Sequence, residues 1–252
     1  MQLLTEPESV VVLLLAESLE FTVRNGALRQ PILRGVDLSI EAGTMTAIMG
    51  PSGSGKSTLL NCLAGLVRPT GGRVCFEGVD LVQASARELD RLRRTDFGFV
   101  FQSYNLIEAL NAEQNVLLPT LFTRLPLTRT DARRALAEVD LDGLERRYPD
   151  QLSGGQRQRV AIARAMAVRR RVLFADEPTG ALDTDAGAAV MDDLARLPEA
   201  GTAVLVVTHD PVVAAYASRV VFLRDGRIAD TVTGANAREL ALRIASLRGA
   251  AA

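Results

Sequence analysis

Two short glycine-rich stretches carry residues suited to holding phosphate: Gly50-Pro51-Ser52-Gly53-Ser54-Gly55-Lys56-Ser57-Thr58 and Leu152-Ser153-Gly154-Gly155-Gln156. The first follows an apolar run, MTAIM, that reads as a strand, and precedes STLLNCLAGLV, which has helical periodicity. Glycines at these spacings let the backbone curl until its N–H groups point inward at an anion, and the next helix adds its positive end. Lys56 is then placed to bridge β- and γ-phosphate oxygens, Ser57 to hold Mg²⁺, and Thr58 to support the α-phosphate side. Composition singles out the same place. The chain has 28 arginines and a single lysine, Lys56, which sits where a slender point charge must reach phosphate oxygens and a planar guanidinium fits badly.

A second set of polar residues closes short apolar runs. RVLFADEPTG ends in Asp176 and Glu177, at the strand end where open parallel sheets bind ligands. Asp176 would orient a metal, directly or through water. Glu177, facing the other way along an extended backbone, would polarise a water in line with the γ-phosphorus as general base. His209, the only histidine, follows AVLVVT and could contact the γ-phosphate through an imidazole N–H. Gln102 follows FGFVF, where it could sense Mg²⁺ or the attacking water.

Alternating strands and helices must position these groups. Strands are expected near Val10–Ala16, around Glu20–Arg24, over VDLSI and MTAIM, then over RVCFEGVDL, RVLFADE and TAVLVVTHD, the last two as buried parallel strands. Residues from about Ser103 to Ala167 read as mostly helical, with Asn111 and Gln114 as a capping pair. RVVFLRDGRIAD reads as a hairpin turning at Asp225-Gly226, and an arginine-studded helix over about Ala237 to Leu247 closes the chain. No repeat or linker is visible, so 1–252 is expected to form one α/β domain carrying a helical lobe at about 103–167.

At 252 residues, 48% hydrophobic and 23% charged, the chain can bury a substantial core. A net charge of −1 gives no electrostatic reason to expect nucleic acid or an anionic membrane surface. Two cysteines without metal-ligand spacing fit a reduced, cytosolic protein. The run VVVLLLA is too short for a membrane span, and the acidic start at Glu6 and Glu8 lacks the features of a signal peptide.

GPSGSGKST, Gln102, LSGGQ, FADEPTGALD and Thr208-His209, in this order and approximate spacing, resemble the nucleotide-binding subunits of ABC transporters over nearly the whole chain. The resemblance implies a P-loop NTPase fold with a RecA-like parallel-sheet core, an antiparallel β subdomain and a helical lobe. It implies ATP and Mg²⁺ as ligands, with Gly50 through Thr58 on the phosphates, Ser57, Gln102 and Asp176 at the metal, and Lys56, Gln102, Glu177 and His209 in catalysis. It further implies a homodimer in the ATP-bound state, paired head to tail. Leu152, Ser153, Gly154, Gly155 and Gln156 of each copy would close over the other's ATP, and Asp183 would lie in the loop along the seam. That would explain two phosphate-binding stretches in one chain. The family's adenine-stacking aromatic falls at Val23 here; Phe21, two residues away on the same strand face, is the candidate substitute.

FGFVFQSYNLIEALNAEQNVLLP and ADEPTGALD look most like the branch of lipoprotein-releasing and macrolide-export ATPases. That likeness implies an integral membrane permease as partner, a groove for it along Phe101 to Phe122, and a location on the cytoplasmic face of the cell membrane. A regulatory ATPase working a cell-envelope process through a permease-like partner shares every motif. A soluble relative acting on DNA or ribosomes typically carries insertions or a duplicated unit that are missing here.

Overall fold

The computed structural model describes residues 11–26, 28–122 and 127–249. Glu6, Glu8 and Val10 lie outside the described residues.

Strands β1 (Val12–Asn25) and β2 (Leu28–Glu41) form a long antiparallel pair. The two strands expected over Val10–Ala16 and Glu20–Arg24 are one. Between Ala16, paired with Leu38, and Leu19, paired with Val36, one extra residue is absorbed as a bulge, and Ser18 takes φ 47°. A bulge bends a strand without ending its ladder. After β3 (Met45–Met49) and helix α1 (Lys56–Leu63), β4 (Gly71–Phe76) returns to pair with β1 and adds the short β5 (Val79–Asp80). The order β2-β1-β4-β5 makes an antiparallel sheet.

Helix α2 (Ala86–Thr95), β6 (Phe97–Phe101), the helices α3 (Ala112–Leu117), α4 (Arg129–Ala137) and α5 (Gly154–Met166), and β7 (Val172–Asp176) follow. The chain then runs through α6 (Thr184–Ala195), β8 (Ala203–Val207), α7 (Pro211–Ala214), β9 (Arg219–Arg224), β10 (Arg227–Thr233) and α8 (Ala237–Gly249). The second sheet has the order β10-β9-β3-β8-β7-β6; β10 is antiparallel to β9, and the other pairings are parallel.

Both faces of this parallel sheet are covered, which is why its strands read as unbroken apolar runs. Met45, Ala47, Leu173, Ala175, Val204 and Val206 face a core shared with α3 to α8. Ile48, Val172, Phe174, Ala203, Leu205 and Val207 face a second core, closed by α1 and the antiparallel sheet. Phe76 stands edge-on to Phe97 at 4.9 Å and Phe97 to Phe174 at 5.4 Å, so an aromatic chain ties the two sheets together.

The register levels the strand ends that matter. Phe101 pairs with Asp176, Asp176 with Val207, and Val207 with Ile48. Gln102, Glu177, Thr208 and Met49 therefore leave the sheet along one edge, with the glycine loop next to them.

Candidate functional site

Close approach, as much as turning, dictates the glycines of the loop after β3. A Cβ on Gly50 would stand 2.1 Å from the Leu223 carbonyl oxygen, and one on Gly55, at φ 102°, 3.0 Å from that of Ile32. The loop is pinned from below by the β9–β10 turn: Ser54 N–H donates to Pro51 O at 3.2 Å, and Gly226 N–H donates to Ser54 O at 3.1 Å. Gly226 belongs to the site's support as well as to the hairpin, a role its Asp-Gly turn signature does not disclose.

Lys56 opens α1 and is buried, with Nζ donating to Gly50 O at 2.9 Å and Pro51 O at 3.1 Å. The ammonium is thus held over the loop that would receive phosphate. Ser54 Oγ is buried in the same cradle without a hydrogen-bond partner, an orphaned polar group that an anion's oxygens would satisfy. Ser57 Oγ donates to Asp176 Oδ1 at 3.1 Å, joining residues far apart in sequence. Burial pushes the Asp176 carboxyl above its usual range; the Ser57 hydrogen bond and Lys56 pull it down, and Glu177 pushes it up.

A hydroxyl, a carboxylate and the Gln102 amide, one residue beyond Asp176's cross-strand neighbour, are hard oxygen donors that fit Mg²⁺. Among the described residues no cluster of three or more His, Cys, Asp or Glu forms a metal site alone.

Glu177 does not continue the strand. Its φ is 48°, so a left-handed turn, not the alternation of an extended backbone, sets its direction. It still diverges from Asp176: Glu177 Oε1 lies 2.9 Å from His209 Nδ1, and Thr208 Oγ1 donates to Oε2 at 3.4 Å. An ionised carboxylate only accepts, so His209 donates from Nδ1, and a neutral ring then presents a lone pair at Nε2. A γ-phosphate contact through an N–H therefore requires the imidazolium, or a His209 that has released Glu177. Thr208, buried at the end of β8, joins the site unassigned by sequence reasoning beyond its place in the Thr-His pair. Gln102 reaches the same turn; a Cβ on Gly180 would stand 3.0 Å from its Nε2.

The second glycine-rich stretch opens α5. Ser153 is the N-cap: its Oγ accepts from Gln156 N–H at 3.2 Å, while Gln156 Oε1 accepts from Ser153 N–H at 2.9 Å. Both partners of this capping box come from within the motif. Leu152 is buried behind it. A Cβ on Gly155 would stand 3.0 Å from the Ala186 Cβ, so this turn packs against the start of α6, where Asp183 is N-cap and accepts from Ala186 N–H at 2.8 Å.

Phe21 and Val23 part company. The ladder shifts register between Phe21 and Thr22 with the extra residue, Ile32, on β2, and the two side chains differ in exposure. Phe21 packs against the core under the antiparallel sheet, and Val23 is exposed.

A parallel sheet, a glycine loop leading into a helix, a buried lysine on that loop and a serine–aspartate pair beside it define a P-loop nucleoside triphosphatase. Within that class the chain belongs to the ABC transporter family, whose model matches residues 33–180. The chain is 48% identical over 215 residues to the macrolide export ATP-binding/permease protein MacB of Brucella melitensis biotype 1, covering 84% of this chain and 33% of MacB. It is 46% identical over 220 residues to the pyoverdine export ATP-binding/permease protein PvdT of Pseudomonas fluorescens, covering 86% of this chain and 34% of PvdT. It thus spans about a third of these relatives' length. The bacitracin export ATP-binding protein BceA of Halalkalibacterium halodurans is 40% identical over 203 residues, covering 79% of this chain and 80% of BceA. The dimeric structure of MJ0796, a bacterial ABC transporter cassette, superposes with TM-score 0.83 at 40% identity, covering 88% of this chain and 99% of that one. A dimeric post-hydrolysis state of the same cassette bound to ADP and Pi gives TM-score 0.82.

Proposed function

We propose that this chain is the ATP-hydrolysing subunit of an export system, pairing head to tail around two Mg·ATP to drive a separate integral membrane permease from the cytoplasmic face of the cell membrane. The observation that carries the reading is one strand edge holding both halves of a hydrolytic site: Ser57 on Asp176 at the phosphate loop, and Glu177 held by His209 and Thr208 beside it. The relatives' export functions and the dimeric state of the MJ0796 cassette support the assembly.

Glu177 takes a proton from water as the water oxygen bonds the γ-phosphorus and the bond to the β–γ bridging oxygen breaks, leaving ADP and phosphate. His209 and Thr208 orient that carboxylate. Lys56 exchanges its backbone carbonyls for phosphate oxygens and, with the loop N–H groups, stabilises charge growing there. Ser57, Asp176 and Gln102 would hold Mg²⁺, which when bound neutralises phosphate charge. The turn of Leu152 to Gln156 supplies N–H groups to the partner's ATP, and Asp183 joins the two sites along the seam. Phe21 is partly buried against the core and Val23 is exposed, so the base would meet Val23 and the open part of the Phe21 ring.

Among the described residues no helix is long and apolar enough to cross a membrane. The permease would dock where Phe99, Phe101, Leu118, Pro119 and Phe122 line a groove of about 250 Å³ between the sheet edge and the helical segment. Tagged Glu177→Gln, purified with Mg·ATP from detergent-solubilised membranes of its host, should bring down a polytopic membrane protein. Recovery of soluble partners alone, with the bait an ATP-bound dimer, overturns the export reading.

A further inference from the structure

Beyond Gln102 the backbone enters an unusual conformation: Tyr104 and Asn105, neither a glycine, take φ 61° and 48°. Consecutive left-handed residues persist only where surrounding structure holds them. The holder is α5. Arg164 Nη1 donates to Asn105 O at 2.7 Å and Nη2 to Tyr104 O at 3.0 Å. Burial lowers the Arg164 pKa, and the two carbonyls offset the desolvation of its charge. One turn from the start of the helix, the Arg157 guanidinium carbon lies 5.3 Å from the centre of the Tyr104 ring. At the helix start itself, a Cβ on Gly154 would stand 3.1 Å from Tyr104 Oη. Gly154, Arg157 and Arg164 fall on one side of α5. The segment leaving Gln102 therefore lies along that side, and the Tyr104 ring extends from it to the glycine turn.

We propose that Tyr104 is a positioning residue for the Leu152–Gln156 turn, a rigid ring through which the Gln102 loop sets where that turn meets the partner's ATP. The inference rests on the head-to-tail reading above. The coupling is directional: Tyr104 touches the turn offered to the other subunit, whereas its own chain's ATP sits on the Gly50–Thr58 loop.

The test is made in the full chain carrying Glu177→Gln. Affinity for a fluorescent ATP analogue is measured at dilution, where the chain is monomeric, and ATP-dependent dimerisation by sedimentation. Adding Tyr104→Ala should leave monomer affinity within about twofold. Dimerisation should weaken about tenfold or more, as expected when a docking surface is misplaced. Tyr104→Phe, which keeps the ring over Arg157, should recover most of the loss. Arg157→Met, a second variant that leaves Tyr104 in place, should weaken dimerisation by roughly threefold. Unchanged dimerisation in Tyr104→Ala overturns the proposal. So does a parallel fall in monomer affinity in both Tyr104→Ala and Arg157→Met, which marks a role in folding alone. If the parent Glu177→Gln does not dimerise with ATP, the head-to-tail reading fails first, and this inference with it.

Discussion

Gly226 offers a quantitative test of how the phosphate loop is supported. Its N–H holds Ser54 O at 3.1 Å, and its own carbonyl accepts from Arg34 N–H at 2.9 Å, so the turn links the loop to β2. A Cβ there would stand 2.2 Å from Ile32 O and 2.9 Å from Ile32 C, both backbone atoms that no rotamer change can move. Relief needs a shift of about 1 Å, and overpacking of this kind costs about 1–3 kcal/mol. The left-handed φ of 75° adds about 1–2 kcal/mol for a residue with a Cβ, so Gly226→Ala should destabilise by about 2–5 kcal/mol. Gly234 separates the two contributions. Its φ is 63°, but a Cβ there meets nothing within 4 Å, and Gly234→Ala should cost only the conformational part, about 1–2 kcal/mol. The chain has no tryptophan, so urea unfolding is best followed by circular dichroism. Titration of each variant with a fluorescent ATP analogue should show weakened binding for Gly226→Ala alone, because only that turn holds Ser54. Equal destabilisation by the two substitutions would falsify the claim that the turn is wedged beneath the loop.

Glu177→Gln should retain ATP binding while phosphate release falls by about 10²–10⁴, the usual contribution of a positioned general base; near wild-type turnover removes Glu177 from that role. Asn115 is fully buried and makes four hydrogen bonds, one from Ile107 N–H and three to the carbonyls of Ile107, Leu110 and Asn111. Asn115→Leu should cost about 2–6 kcal/mol at about 0.5–1.5 each, and a loss below 1 kcal/mol in urea unfolding contradicts that network. Burial pushes the Asp193 carboxyl up to about 6, against the pull of Arg159 and Arg196. A carboxyl raised in the folded state lowers stability as pH climbs from about 4 to about 6, with the penalty absent below and complete above. Asp193→Asn should therefore gain on wild type by about 2–3 kcal/mol between pH 4 and 7, and a difference independent of pH rejects the assignment.

Features encoded within a few residues were legible. The strand–glycine–helix sequence at 45–63, the Asp225-Gly226 turn and the Asn111–Gln114 capping box all appear where local chemistry puts them. Features set by distant partners were not. β1 looked like two strands because the bulge at Ser18 breaks its alternation, and only pairing with β2 and β4 reveals its continuity. Helix α2 offers a stripe of only Leu89 and Leu92, and Leu92 alone of its ten residues is buried. At the site, residue types and strand ends singled out Ser57, Asp176 and Glu177, and the structure brings the first two into a hydrogen bond. The left-handed turn at Glu177 and the proton His209 directs at it depend on the register of β7 against β8, which no single stretch of sequence contains.

If the chain pairs head to tail as proposed, the capping box at the start of α5 bears on the thermodynamics of that closure. Among the leading N–H groups of that helix, the box takes Gln156's, and it also ties down the N–H of Ser153, using side chains from the motif itself. The N–H groups of Gly154 and Gly155 stay outside it and, being in the first turn, have no acceptor within the helix. Glycine turns are ordinarily loose, and ordering one during association would subtract from binding. Here the conformational entropy of the turn is lost when the chain folds. A phosphate arriving on another subunit would meet donors already aligned, so closure can be switched by the nucleotide's charge without first having to freeze the surface that reads it.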